Sequence, residues 1–406
     1  MTYPNLAYAV IGAALTTASG TTCEELVTED VLRPLNLTEI TAIARHGSLT
    51  ATELSVLPAL MQVAACWRES MTRITPPRPF DVTSAFPELA GMSRTATRLH
   101  PRAGSPTVHE SSVGGPLLWP AGEAWATCSR EHYARRLNTP GEVRTLRRIL
   151  TEAWRRQKPG DELLTQEERA VVERIHTGHA PRLLPTGPHP LIPVAQLYAR
   201  DVPDMTCPQD TDLLQVLWCP FDDAIEGCSK AVQVHWRRAA DVTDILIAMP
   251  EPAYIGNDDL IPTPCVVHPE QVSEYPSTDE LEEALWRRIY RWEDETGLSY
   301  RGDLSGAPGW KVGGWAAPFT FREPDEEDER RCPTCQAPTA PLLTVPSDEW
   351  DGESGSWRPE SDDEEADAPP YPSNRNPTQV TISRGYTLQI YGCTGDPRHL
   401  PVTVIQ

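Results

Sequence analysis

One ordered set of phrases occurs twice in this chain, and that repeat limits its fold more than any other feature. Val113-Gly-Gly-Pro-Leu-Leu-Trp-Pro120 returns as Val312-Gly-Gly-Trp-Ala-Ala-Pro318, and Cys128 returns as the pair Cys332 and Cys335. Pro190-Leu-Ile-Pro-Val-Ala-Gln-Leu-Tyr-Ala-Arg-Asp201 is echoed by Pro341-Leu-Leu-Thr-Val-Pro-Ser-Asp-Glu-Trp-Asp351. Leu214-Gln-Val-Leu-Trp-Cys219 is echoed by Leu388-Gln-Ile-Tyr-Gly-Cys393. Phrases repeated in the same order point to two similar modules. The paired glycines mark turns that need positive φ or the close approach of another backbone.

Proline sharpens the expectation. The 41 prolines among 406 residues are poorly tolerated in helix interiors and central strands, so elements should be short and joined by ordered loops. The expected class is α+β: a β-rich, internally duplicated two-module fold with a small helical segment over 1–75. The first module spans 80–300, interrupted by an inserted helical hairpin over 133–185; the second spans 301–406 and carries an acidic loop over 353–376.

Helical spacing supports the hairpin. Val143, Leu146, Ile149, Leu150 and Trp154 fall on one face of Glu142–Arg156 with arginines around the rest, the pattern of an amphipathic helix. Thr165 and Glu168 have the spacing of a capping box that opens a second helix. A third is predicted over Asp279–Glu295, with Leu281, Leu285, Ile289 and Trp292 inward and an acidic first turn suited to the helix dipole. The arginines of the hairpin read as a solvated face, with docking of an acidic partner as the other reading. The acidic runs 323–329 and 360–367 read as solvated loops.

A formal charge of −22 argues against general nucleic-acid binding, where phosphate attraction supplies most of the affinity. No apolar run approaches the 18 or so residues of a membrane span. Residues 6–15 are apolar, but no basic residue precedes them before Arg33, so they lack the flank of a signal peptide. A cytoplasmic location follows, with ten cysteines serving as buried thiols or ligands more than as bridges.

Cys332-Pro-Thr-Cys335 has the spacing at which one turn presents two thiolates to a tetrahedral ion, and Cys393 with His399 can supply the second pair. A structural Zn²⁺ on these four residues is one reading; reduced thiols without a metal, or a redox pair, are the others. The corresponding turns of the first module carry Cys128 and Cys219 without such partners. His100, His109, His132 and His235 look scattered, and Glu293–Glu295 read as a solvent-facing helical run. Gly313-Gly314 lacks the lysine and helix start of a phosphate loop.

Arg98-Leu-His-Pro-Arg102, Ser111-Ser-Val-Gly-Gly-Pro-Leu-Leu-Trp-Pro120, Pro193-Val-Ala-Gln-Leu197, Leu214-Gln-Val-Leu-Trp-Cys-Pro220, His268-Pro-Glu-Gln-Val-Ser-Glu-Tyr275, Gly309-Trp-Lys-Val-Gly-Gly-Trp315 and Leu388-Gln-Ile390 together resemble the YwqG-like family. The resemblance runs over 80–406 and implies a duplicated, β-rich, intracellular protein with no established enzymatic activity. Tyr3-Pro-Asn5, Ser19-Gly20 and Arg33-Pro-Leu-Asn-Leu-Thr38 resemble part of the serine β-lactamase and penicillin-binding-protein superfamily. Its nucleophile would need a Ser-x-x-Lys, which the chain lacks. Tyr3 is then a relic of a catalytic base, and a serine hydrolase is the weaker alternative. The favoured functions are protein interaction, through aromatic turns bearing Trp119, Trp125, Trp218, Trp236, Trp310 and Trp315, and binding of a small ligand at the seam between modules.

Overall fold

The computed structural model describes residues 74–406 except 133, 135, 159, 181–183, 185–186, 222–230, 319–329 and 360–370. Tyr3, the helices expected before residue 74 and both acidic runs lie outside the described residues.

Runs rich in β-branched, leucine and aromatic residues become strands. In chain order these are β1 (Arg94–Arg98), β2 (Arg102–Ala103), β3 (Ser112–Val113), β4 (Thr127–Cys128), β5 (His189–Pro190), β6 (Ile192–Tyr198), β7 (Leu213–Trp218) and β8 (Val232–Arg237). There follow β9 (Cys265–Val266), β10 (Glu270–Glu274), β11 (Lys311–Gly313), β12 (Thr339–Pro346), β13 (Thr387–Cys393) and β14 (Val402–Ile405). One six-stranded sheet has the order β2-β9-β3-β6-β7-β8, and a second has β10-β1-β11-β12-β13-β14; β4 pairs only with β5.

The sheets do not divide at residue 300, where the sequence suggests a module boundary. β1 pairs antiparallel with both β10 and β11, so two early strands belong to the sheet of the late ones. The chain changes sheets at His100, whose φ of 42° lies in the left-handed region. Leu99 still donates to the Trp310 carbonyl at 2.8 Å, whereas β2 pairs with β9 in the other sheet. Such pairing is non-local and leaves no mark in the spacing of apolar residues.

Every residue of β7 is buried, and β6 and β13 are nearly so. Burial on both faces removes the alternation expected of a half-exposed strand. Val194, Leu197, Leu214 and Val216 share one core with Leu343, Val345, Leu388 and Ile390. The two sheets therefore cover each other, and each such side chain contributes about 1.5–3 kcal/mol by leaving water.

Helices α1 (Pro140–Arg156) and α2 (Gln166–Thr177) occupy the predicted hairpin. Both open with capping boxes: Thr139 and Glu142 exchange side-chain and backbone bonds, and Thr165 and Glu168 do the same. Pro140 fits the first turn, where a missing N–H costs nothing. Helix α3 (Glu283–Thr296) stops at Gly297, with φ 74°. It starts later than predicted because Thr278–Glu280 form a 3-10 turn and Leu281 is extended as it enters the core beside Leu285 and Ile289. No helix among the described residues is long and apolar enough to cross a membrane.

Two expectations about side chains change. Arg147 is not part of a solvated face: it donates to the carbonyls of Ile261 (2.5 Å), Asp258 (3.1 Å) and Gln379 (3.0 Å), tethering α1 to two loops. Among the tryptophans proposed for docking, Trp119, Trp218 and Trp310 are buried in the core. Tryptophan suits interfaces and interiors alike, so its abundance in turns could not separate the two.

Candidate metal centre

The Cys332-Pro-Thr-Cys335 turn immediately precedes β12. Gln336, with φ 61°, reverses the chain; its N–H donates to the Cys332 carbonyl at 2.8 Å, and the Cys332 N–H donates to the Ala337 carbonyl at 2.9 Å. The Arg331–Pro338 bridge closes the base of this loop. Cys393 is the last residue of β13 and pairs with Thr339 at the start of β12. Two neighbouring strand ends thus bring the cysteine turn against the turn that follows Cys393.

That second turn is held just as closely. Thr394 donates from N–H and hydroxyl to the Pro338 carbonyl, at 3.1 and 2.7 Å. The His399 N–H donates to the Asp396 carbonyl at 3.0 Å. The N–H groups of Gly395 and Asp396 point at the Cys393 sulfur, 3.3 and 3.4 Å away. Backbone donors aimed at sulfur favour the thiolate.

The residues predicted as ligands come together. Cys335 Sγ lies 3.4 Å from Cys393 Sγ, and Cys332 Sγ lies 3.5 Å from His399 Nδ1. All four donor atoms are within 4.8 Å of one another. A tetrahedral zinc ion with Zn–S of about 2.3 Å and Zn–N of about 2.0 Å sets ligand edges of roughly 3.5–3.8 Å. The four donors need only small shifts to enclose such an ion. Cys332 and Cys393 are buried while Cys335 is exposed, so the cluster opens to solvent on one side.

Proton affinities across the cluster split. Burial pushes the Cys393 thiol up, but the Asp396 N–H, His399, Cys335 and the Gly395 N–H outweigh it and bring it down to about 6. Burial likewise opposes ionisation of Cys332, and the N–H groups of Cys335 and Thr334 overcome it to lower its pKa. At Cys335 the Ala337 N–H favours the thiolate, yet Cys393, burial and Cys332 together raise its pKa. Hydrogen bonding to Cys393 raises that of His399. The group is thus ready to ionise in part and to release further protons to a cation.

Sequence spacing missed two other constellations. His132, read as scattered, stands with its Nε2 3.4 Å from Cys128 Sγ and 3.2 Å from Cys219 Sγ. The Cys128-x3-His132 spacing was a usable signal; the third partner lies 87 residues further on and left none. The second is an ion pair in the interior: Lys311 Nζ donates to Glu274 Oε1 at 2.5 Å, both side chains being almost wholly buried. Glu274 also accepts from the N–H groups of Ala307 and Trp315, each at 2.8 Å. An added Cβ on Gly314, whose φ is 67°, would collide with that carboxylate, so the second member of this glycine pair is required by the charge beside it.

A cavity of about 580 Å³ lies beside α1, lined by Arg144, Arg147, Arg148 and Pro262 together with Pro372 and Gln379 from the late part of the chain. Comparison of the chain with models of known protein families finds no match, and comparison with curated proteins finds none either.

Proposed function

We propose that this chain is a non-enzymatic binding protein of the YwqG-like type, built from two copies of one β-unit and clamped by a structural zinc ion. The observation that carries the reading is the convergence of Cys332, Cys335, Cys393 and His399 within 4.8 Å. Three thiols and an imidazole form a closed, soft donor set of the kind that suits structural zinc and leaves no position for substrate. Redox use is the weaker account, because a bridge between two of these cysteines gives His399 no part. A thiolate-ligated site needs reduced cysteines, which fits a cytoplasmic protein.

Support for duplication comes from strand order. β3-β6-β7-β8 and β11-β12-β13-β14 are each consecutive neighbours in their sheets, each series follows the repeated phrases, and each first strand leads into a glycine pair. For the ligand, the cavity beside α1 favours a small anion over a docked protein. Of its lining arginines, Arg144 is paired with Glu251, which lines the cavity as well, and Arg147 is held by three carbonyls, so the exposed Arg148 is the one left to meet an anion, while half of the candidate docking tryptophans are spent on the core.

Metal analysis of freshly purified protein tests the first part. Zinc is expected to survive desalting, and one equivalent should be lost on substitution of Cys332 and Cys335 by serine; metal-free protein with every thiol titratable would sink the idea. A thermal-shift screen against inorganic phosphate and small carboxylates tests the second. Arg148→Glu should abolish any shift, and no shift with any anion speaks against the cavity as a binding site.

A further inference from the structure

The first sheet gathers a second set of soft donors, on residues separate from the zinc knuckle. Cys219 directly follows the last residue of β7, much as Cys393 ends β13. β4 ends at Cys128, and the chain then brings His132 back over both thiols. A single atom, His132 Nε2, faces the two sulfurs at 3.4 and 3.2 Å, and the three donors lie within 4.8 Å of one another. Phe221 stacks flat on the His132 ring, with centroids 4.4 Å apart and planes 4° apart, which fixes its orientation. His189 is paired across the strands with Cys128, and its ring centroid lies 5.6 Å from that of His132.

We infer that Cys128, His132 and Cys219 bind a second thiophilic divalent cation, of which zinc is the representative. Two thiols directed at one imidazole nitrogen are a hydrogen-bonding oddity but an ordinary coordination pattern, since all three atoms must point at a common centre. A nucleophilic Cys–His dyad needs a single thiol at the imidazole and a path for substrate. Here both sulfurs are buried, Cys128 at 4% and Cys219 at 0% exposure, and neither residue lines the cavity beside α1. The surroundings are apolar and aromatic, including Leu117, Trp119, Leu217 and Phe221. Such a shell strengthens the hold on a cation once its charge is met by thiolates. The corresponding position of Cys219 and Cys393 in their sheets suggests that each half keeps a metal at the end of the same strand, with three donors in one and four in the other.

Zinc per chain in the full-length protein, measured by inductively coupled plasma mass spectrometry, tests this. Two equivalents are expected. Cys128→Ser with Cys219→Ser should leave one, and its cobalt-substituted form should keep the strong sulfur-to-metal absorption of a three-thiolate site. Cys332→Ser with Cys335→Ser should also leave one, with the weaker absorption of a two-thiolate site. Should either double variant fail to fold, titration of the wild-type protein with a mercurial reagent serves instead, and two separate steps of zinc release are expected. One zinc that disappears entirely with Cys332 and Cys335 would overturn the inference, as would rapid alkylation of Cys128 or Cys219 in zinc-replete protein, the mark of a reactive dyad. One zinc lost only with Cys128 and Cys219 would support it while removing the proposed knuckle.

Discussion

The two sheets solve the same problem by different means. Each must hold a glycine-paired turn against its central strands, and each buries a glutamine to help: Gln215 donates to the Leu118 carbonyl at 2.9 Å, and Gln389 accepts from the Ala317 N–H at 3.3 Å. In the first sheet the groups that touch the turn are uncharged, and the cation behind them, Arg237, donates to Gln215 Oε1 at 2.7 Å and pairs with the exposed Glu123. Gly114 donates to Val194 at 2.8 Å and Leu118 donates to Gln196 Oε1 at 2.7 Å. In the second, the Glu274 carboxylate and the Lys311 ammonium do that work from inside the protein. A repeated motif thus preserves the turn without preserving the chemistry that secures it, and the charged version is the more brittle.

Substitution should expose that brittleness. Lys311→Met leaves the Glu274 carboxylate buried beside two backbone donors but without its counter-ion, and should cost about 3–5 kcal/mol in urea unfolding. A loss below about 1 kcal/mol would show that the pair adds little. Next in size is the proposed metal: if zinc is bound, stripping it with a chelator should remove about 3–4 kcal/mol when free zinc exceeds its Kd by a hundred- to a thousandfold. Thermal unfolding with and without chelator reads this directly. Gln215→Leu, which removes the bond to the Leu118 carbonyl and the acceptor of Arg237, should cost about 1–3 kcal/mol; equal losses for Lys311→Met and Gln215→Leu would erase the contrast between the halves. Thr139→Ala, removing one capping box, should cost about 1 kcal/mol and leave zinc content unchanged.

Acidity offers a further probe of the second half alone. The Cys393 pKa is depressed from an ordinary 9.0 to about 6. Its ionised form therefore stabilises the metal-free fold fully above pH 9 and progressively less as pH falls towards 6, where the advantage is lost. Unfolding of the chelated protein followed between pH 6 and 9 should show stability rising with pH, and Cys393→Ser should flatten that rise. An unchanged slope in the variant would assign the dependence to other groups.

Sequence made some of this legible and hid the rest for physical reasons. The Thr165–Glu168 box, the periodic face of α1 and the clustering of Cys332, Cys335, Cys393 and His399 were all readable, because each depends on residues close in sequence or on a spacing fixed by one turn. The Thr139–Glu142 box carries the same signal and precedes its helix as plainly. His132 acquires meaning only when the fold brings the end of β4 near the end of β7, and Lys311 meets Glu274 only because β1 lies between β10 and β11. Trp119, Trp218 and Trp310 illustrate a different limit: composition ranks them as apolar anchors but does not say whether the apolar surface they cover is the protein's own.

The turn carrying His399 also reaches back to the first sheet. Trp236 donates to the Pro397 carbonyl at 2.8 Å and Arg398 to the Gln209 carbonyl at 3.0 Å, bridging 161 and 189 residues of chain. In terms of assembly order, closures of that length are late events, since entropy must be lost before distant contacts can repay it. Cys332 and Cys335 can meet an ion as soon as their own turn has formed, but His399 gains its final buttress only after the earlier sheet has been laid down.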